Sequence, residues 1–422
     1  MVARLEHLEH LKHLKHLEHL KLSDQLKHLE PLNLLNYRNN CTMKHHQYNP
    51  DYQFVKDPVD FNKYTERRLL QYCLGATMYM PGTKDFAQAI IDKKYPGLTS
   101  MVMCFEDACK EEDVPAAEQN CIHVLETLRQ KVEKGELDYK DIPLIFFRVR
   151  NVEQFKHFVK LLPIETVPYI TGFNFPKFNS LNAAAYMDHL ADINERAGEV
   201  LYGMPIIEDA RVAYKESRLD ELIAVKRVLD QNKQLVLNVR VGGTDFSSCF
   251  GVRRGINYTI YDIMTVSNCL MDILNVFTRN NDYTVSGPVW EYFRVNKRMK
   301  SMAELPKVDL QQTLLKRKAI VNDAVDGLMR ELVLDQANGF MGKTCIHPSH
   351  LNYINGMLAV TKDEYDDAYQ IMHTSGGVIK GTKGMNEIGP HKAWAERIMM
   401  RAEAYGVIEN EAEYINLFGV ES

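Results

Sequence analysis

The chain has 422 residues, 45% hydrophobic and 25% charged, the balance of an ordinary globular protein with one large core and appendages. Its 51 basic and 56 acidic residues give a net charge of −5, which excludes the clustered cationic footprint of a nucleic-acid binder. No run of about 18 apolar residues occurs and the N-terminus lacks a signal peptide's apolar core, so the expected location is the cytoplasm, without a membrane partner.

Residues 1–60 read as a low-complexity N-terminal extension. Leu5, Leu8, Leu11, Leu14, Leu17 and Leu20 recur every third residue, a spacing that winds around a helix rather than forming a stripe. His7, His10, His13, His16 and His19 share that spacing and could catch a stray transition metal, but a solvated tail is the simpler reading. The eight cysteines show no C-x-x-C spacing and read as reduced, mostly buried thiols. Cys345, near Lys343 and His347, is the lesser alternative of a catalytic thiolate.

From residue 68 onward, short β-rich apolar runs alternate with longer helical patterns. The runs begin at Ala76, Ser100, Pro143, Val167, Val200, Gln234, Tyr283 and Gly339. Eight strand–helix units predict an α/β fold, a (β/α)8 TIM barrel, over 61–361. The charged stretch at about 297–334 reads as a helical insertion, and 362–422 as a helical C-terminal arm in which Trp394, Ile398 and Met399 form an apolar face.

Barrel enzymes carry their chemistry at the C-terminal ends of the strands. Those ends hold Glu106 and Asp107, Arg148, Lys177, Glu208 and Asp209, Asp245, then Lys343 and His347. Glu208 and Asp245, with no His or Cys beside them, suit a hard cation, Mg2+ or Mn2+, completed by water and substrate oxygens. Each taken alone could equally be a helix cap or a surface ion pair. Gly242 and Gly243, before Thr244 and Asp245, let backbone approach a ligand closely. Arg148 offers a planar fork to a substrate carboxylate, or a structural ion pair to Glu106 or Asp107. Asp107 could orient metal-bound water.

These strand ends resemble the HpcH/HpaI aldolase and citrate lyase β-subunit family of the phosphoenolpyruvate/pyruvate barrel superfamily. The resemblance is collinear: "YMPGT" at 79–83, "CFEDAC" at 104–109, "FRV" at 147–149, "FPKF" at 175–178, "PIIEDA" at 205–210, "GGTDFS" at 242–247 and "GFMGKTCIHPSHL" at 339–351. It implies Glu208 and Asp245 as metal ligands, Arg148 on the substrate carboxylate, and Glu106 with Asp107 ordering the metal's water shell. Lys177, Gly243 and Thr244 are the further substrate contacts expected. It also implies an arm that crosses to an adjacent subunit, giving a homotrimer or a multiple of it, with Glu387 as an acid acting in trans; an exposed loop glutamate is the alternative.

The sequence departs from the family's pattern at Arg150, where the family has Asn, at Thr244, where it has Glu before the metal Asp, and across "MNEIGPH" at 385–391. The expected activity is a metal-dependent carbon–carbon lyase or the reverse condensation. Its substrate would be a small carboxylate or an acyl thioester, including a coenzyme A or acyl-carrier thioester. The alternatives are a non-catalytic barrel scaffold and a thioester hydrolase using the same metal.

Overall fold

The structure is a computed structural model that describes residues 42–293, 309–381 and 384–419. Eight parallel strands form one sheet: β1 (Ala76–Pro81), β2 (Ser100–Cys104), β3 (Leu144–Arg148), β4 (Gly172–Phe175), β5 (Tyr202–Ile207), β6 (Val239–Val241), β7 (Val285–Ser286) and β8 (Lys343–Cys345). Their order is β7-β6-β5-β4-β3-β2-β1-β8, and a parallel bridge between Gly287 and Lys343 joins the two ends of the sheet. This is the TIM barrel that the eight apolar runs predict.

The strands form where they do because every residue of β2 and β3 is buried. A parallel strand covered on both faces needs a continuous apolar run rather than an alternating one. Outside β3 and β4, helices Val152–Leu161 and Ala183–Ala197 lay aromatic rings on the sheet. Phe155 meets Phe173 at 4.8 Å and Tyr186 stacks on Phe175 at 4.5 Å between ring centroids. Each such ring contributes roughly 1.5–3 kcal/mol by leaving water.

Two expected boundaries move. Compact packing begins at Met43, not near residue 60: Met43 bridges Phe61, and buried His45 stacks on Tyr405 at 4.3 Å. The leucine and histidine repeat lies outside the described residues. The proposed insertion also contains a barrel element, since helix Asp323–Asn338 leads through Gly339 directly into β8.

The C-terminal arm folds back on its own chain. Helix Lys362–His373 and helix Ile388–Tyr405 enclose Ala368, Ile371, Ala395, Ile398 and Ala402, with Met399 packed against them. The expected outward apolar face is therefore reduced to Trp394, which stays 40% exposed. Tyr405 donates to the Tyr72 carbonyl at 2.6 Å, just before β1, and Arg397 to that of Gly339, just before β8. The last long helix thus covers the end of the barrel opposite the candidate site. Among the described residues, no helix is long and apolar enough to cross a membrane.

Candidate active site at the strand ends

β2, β3, β4 and β5 deliver five charged groups to one place. Arg148 ends β3 and its guanidinium is shared by Glu106 (2.7 Å), Asp107 (3.0 Å) and Glu208 (3.1 Å). The ion pair weighed as an alternative for Arg148 is therefore present. Lys177 follows β4 with φ +46°, a left-handed conformation costly for a residue with a Cβ. That turn aims its backbone N–H at Glu208 Oε1 (3.0 Å) while its Nζ pairs with Glu106. Burial opposes ionisation of Asp107, but its contact with the Glu106 side chain and the charges of Arg148 and Lys177 prevail and hold its carboxyl below the usual range. Asp209, beside Glu208, is a helix cap accepting from the Arg211 N–H at 2.9 Å.

Glu208 and Asp245 converge at Gly242. A Cβ added there would lie 2.3 Å from Glu208 Oε2 and 3.0 Å from Asp245 Oδ2, so only glycine leaves room between the two carboxylates. Asp245 sits in the first turn of helix Gly243–Cys249, immediately after β6. Among the described residues no group of three or more His, Cys, Asp or Glu is arranged to hold a metal. Glu208 and Asp245 could hold one as a pair of oxygen donors, which suits Mg2+, since that ion keeps several waters. A cavity of about 660 Å³ opens above them, with Tyr79, Arg148, Arg240, Thr244 and Glu291 in its wall.

Burial pushes the Glu208 carboxyl up to about 8; Arg148 opposes this and the Asp245 charge adds to it. The folded metal-free protein thus keeps a proton that the unfolded chain releases near 4.5, and it loses stability as pH rises between those values. Glu208→Gln imitates the protonated form. It is expected to melt above the parent near pH ~8.5, with the gap closing toward pH ~5. Equal melting temperatures at both pH values would place this carboxyl in the ordinary range.

Other expected site residues fall elsewhere. Lys343 opens β8 instead of ending it and is fully buried between Glu331 (2.9 Å) and Asp335 (2.6 Å), so it is no rim residue. Cys345 is buried and its thiol is pushed up to about 12, which removes the thiolate reading. His347 does reach the rim, stacked on Phe293 at 4.2 Å. Glu387 is exposed on a short hairpin of two strands, Val378–Lys380 and Met385–Glu387, and does not line the cavity of its own chain.

Residues 68–407 match the family model described as "C-C_Bond_Lyase of the TIM-Barrel fold". The chain belongs to this carbon–carbon bond lyase family. No curated protein sequence matches it. Matched solved structures include CitE from Mycobacterium tuberculosis with magnesium, acetoacetate and coenzyme A, at 15% identity over 79% of this chain and 99% of that one, TM-score 0.48. The citrate lyase β subunit from M. tuberculosis with oxaloacetate and magnesium matches at 16% identity over 67% and 95%, TM-score 0.41. The Haloferax volcanii malate synthase lead(II) complex matches at 12% identity over 65% and 70%, TM-score 0.45.

In this carbon–carbon lyase two of the departures noted in the sequence, Arg150 and Thr244, have structural explanations. Arg150 donates to the carbonyls of Phe105 (3.3 Å) and Cys109 (3.2 Å), pinning the loop that carries Glu106 and Asp107. Thr244 donates to Glu291 at 3.2 Å, and Glu291 pairs with buried Arg254, which holds Glu331 at 2.5 Å. Glu331 and Asp335 hold Lys343, so a continuous ion-pair network runs from β8 to the residue beside Asp245. Two cavity residues escape sequence reasoning. Glu291 lies in the aromatic run after β7, and Arg240 interrupts the apolar β6, where a lone charge at mid-strand could have signalled the barrel interior.

Proposed function

We propose that this chain is a divalent-cation-dependent lyase that cleaves, or in reverse forms, a bond next to the carbonyl of a small 2-oxo acid. The observation that carries the reading is the convergence of Glu208 and Asp245 over Gly242, within a cavity that also exposes a buried arginine system. Family membership supports carbon–carbon chemistry.

In this reading Glu208 and Asp245 would hold the cation, which would supply Lewis-acid polarisation of the substrate carbonyl. Arg148 receives the substrate carboxylate by releasing Asp107, the most exposed of its three partners at 59%. Asp107, kept ionised, then faces the solvent side of the site and orients water. Lys177 pairs with Glu106, and its backbone N–H fixes the Glu208 oxygen that does not face Asp245. Gly243 and Thr244 present backbone beside the substrate. Glu387 can contribute only from a second copy of the chain, which the homo-oligomeric reading requires.

The test is a screen of 2-oxo acids and acyl thioesters with protein loaded with Mg2+ or Mn2+, followed for pyruvate, oxaloacetate, glyoxylate or acetyl-thioester release. Carbon–carbon cleavage or condensation that disappears on chelation is the expected result. Thiol release with the carbon skeleton intact would replace the reading with thioester hydrolysis, and metal binding without any turnover would replace it with a binding protein.

A further inference from the structure

Five arginines are buried among the described residues: Arg148, Arg218, Arg240, Arg254 and Arg401. Four of them hold a carboxylate: Arg148 as described, Arg218 with Asp272 (2.8 Å), Arg254 with Glu331, and Arg401 with Glu364 (3.1 Å). Arg240, only 1% exposed, pairs with no acid among the described residues. Its Nη1 donates to Thr77 Oγ1 at 3.3 Å and its Nη2 to Thr344 Oγ1 at 2.7 Å. The guanidinium carbon lies 5.4 Å from the Tyr79 ring centroid, and the buried Nε has no partner.

A buried cation balanced only by two hydroxyls and a ring face is unfavourable unless a ligand completes it. Arg240 lines the same cavity as Glu208 and Asp245 and lies two residues before Gly242 on β6, deeper in the barrel than the strand-end carboxylates. The free Nε and the remaining Nη protons form a planar fork that an oxyanion can accept in two hydrogen bonds. Thr344, which lines the same cavity, stands beside it with a hydroxyl able to turn and donate.

We propose that Arg240 seats a second anionic group of the substrate. The substrate is thus a 2-oxo acid with a carboxylate or phosphonate-like oxyanion at its far end, which descends to Arg240 while the 2-oxo carboxylate stays at Arg148 and the cation. The assignment rests on the 2-oxo acid reading above, and deepens it from a monoanion to a dianion.

The experiment titrates Mn2+-loaded protein by calorimetry with three ligands of equal length: 2-oxoglutarate, 2-oxo-4-phosphonobutyrate and the monoanion 2-oxopentanoate. At least one dianion is expected to bind about tenfold or more tighter than 2-oxopentanoate. Which dianion wins distinguishes carboxylate from phosphonate. Arg240→Met should erase the preference while keeping monoanion binding, and Arg240→Lys should keep part of it. No dianion preference, or one that survives in Arg240→Met, overturns the proposal while 2-oxopentanoate binding still upholds the 2-oxo acid reading. Failure of all three ligands overturns that reading and this one with it. Without ligand, Arg240→Met is expected to melt at or above the parent temperature. A clear drop that Arg240→Lys repairs would make Arg240 structural and overturn the proposal.

Discussion

Asp245→Asn is expected to weaken Mn2+ binding by about a hundredfold or more, because loss of a direct anionic ligand exceeds the 10- to 100-fold typical of outer-shell changes. The neutral amide keeps the shape of the side chain in the first turn of helix Gly243–Cys249, so backbone geometry at Gly242 and Gly243 has no reason to change. Removing the charge also relieves Glu208, whose carboxyl the Asp245 anion helps to push up. The metal-free variant should therefore melt no lower than the parent. Calorimetric titration with Mn2+ alongside thermal melts separates the two effects, and undiminished affinity would remove Asp245 from the metal site.

Arg148→Met should cost about 3–5 kcal/mol of stability in the metal-free protein, the range for stripping one partner from a buried ion pair. Glu106, with a side chain 8% exposed, would lose its counter-charge where water cannot replace it, and Glu208, at 2%, would lose a hydrogen-bond donor below about pH 8 and a counter-charge above it. Asp107, at 59%, contributes little because solvent screens it. Excess Mg2+ should return part of the loss by supplying positive charge at Glu208. Arg148→Lys should recover much of the stability but not the substrate affinity, since an ammonium cannot present paired coplanar donors. Denaturant midpoints with and without Mg2+ measure this. A loss below ~1 kcal/mol would mean that Lys177 alone suffices to hold the carboxylates.

The barrel was legible because parallel strands buried on both faces leave unbroken apolar runs, and each of the eight runs contains one strand. The strand ends were legible for a related reason: Glu106, Arg148, Lys177, Glu208 and Asp245 stand where apolar sequence stops, and the structure gathers them. Sequence order gave no means of choosing the partners of Arg148, because Asp107 and Glu208 are 41 and 60 residues away from it along the chain. Lys343 was misplaced by the same cue that succeeded elsewhere. It too adjoins an apolar run, but it opens its strand, and the acids that neutralise it lie on the preceding helix. The apolar face at Ile398 and Met399 was real, but its cover is helix Lys362–His373 of the same chain, a pairing that periodicity cannot assign to one subunit or two.

The hydrogen bond from Thr244 to Glu291 ties two distant stretches of the chain together at the site. The residue directly before Asp245 is a hydroxyl, and an acid reaches it from the segment after β7, anchored by Arg254. That negative charge stands at the mouth of the barrel, in the same cavity wall as Thr244. Positions 244 and 291 therefore constrain each other: a glutamate placed at 244 would confront the one at 291, where the hydroxyl now donates to it.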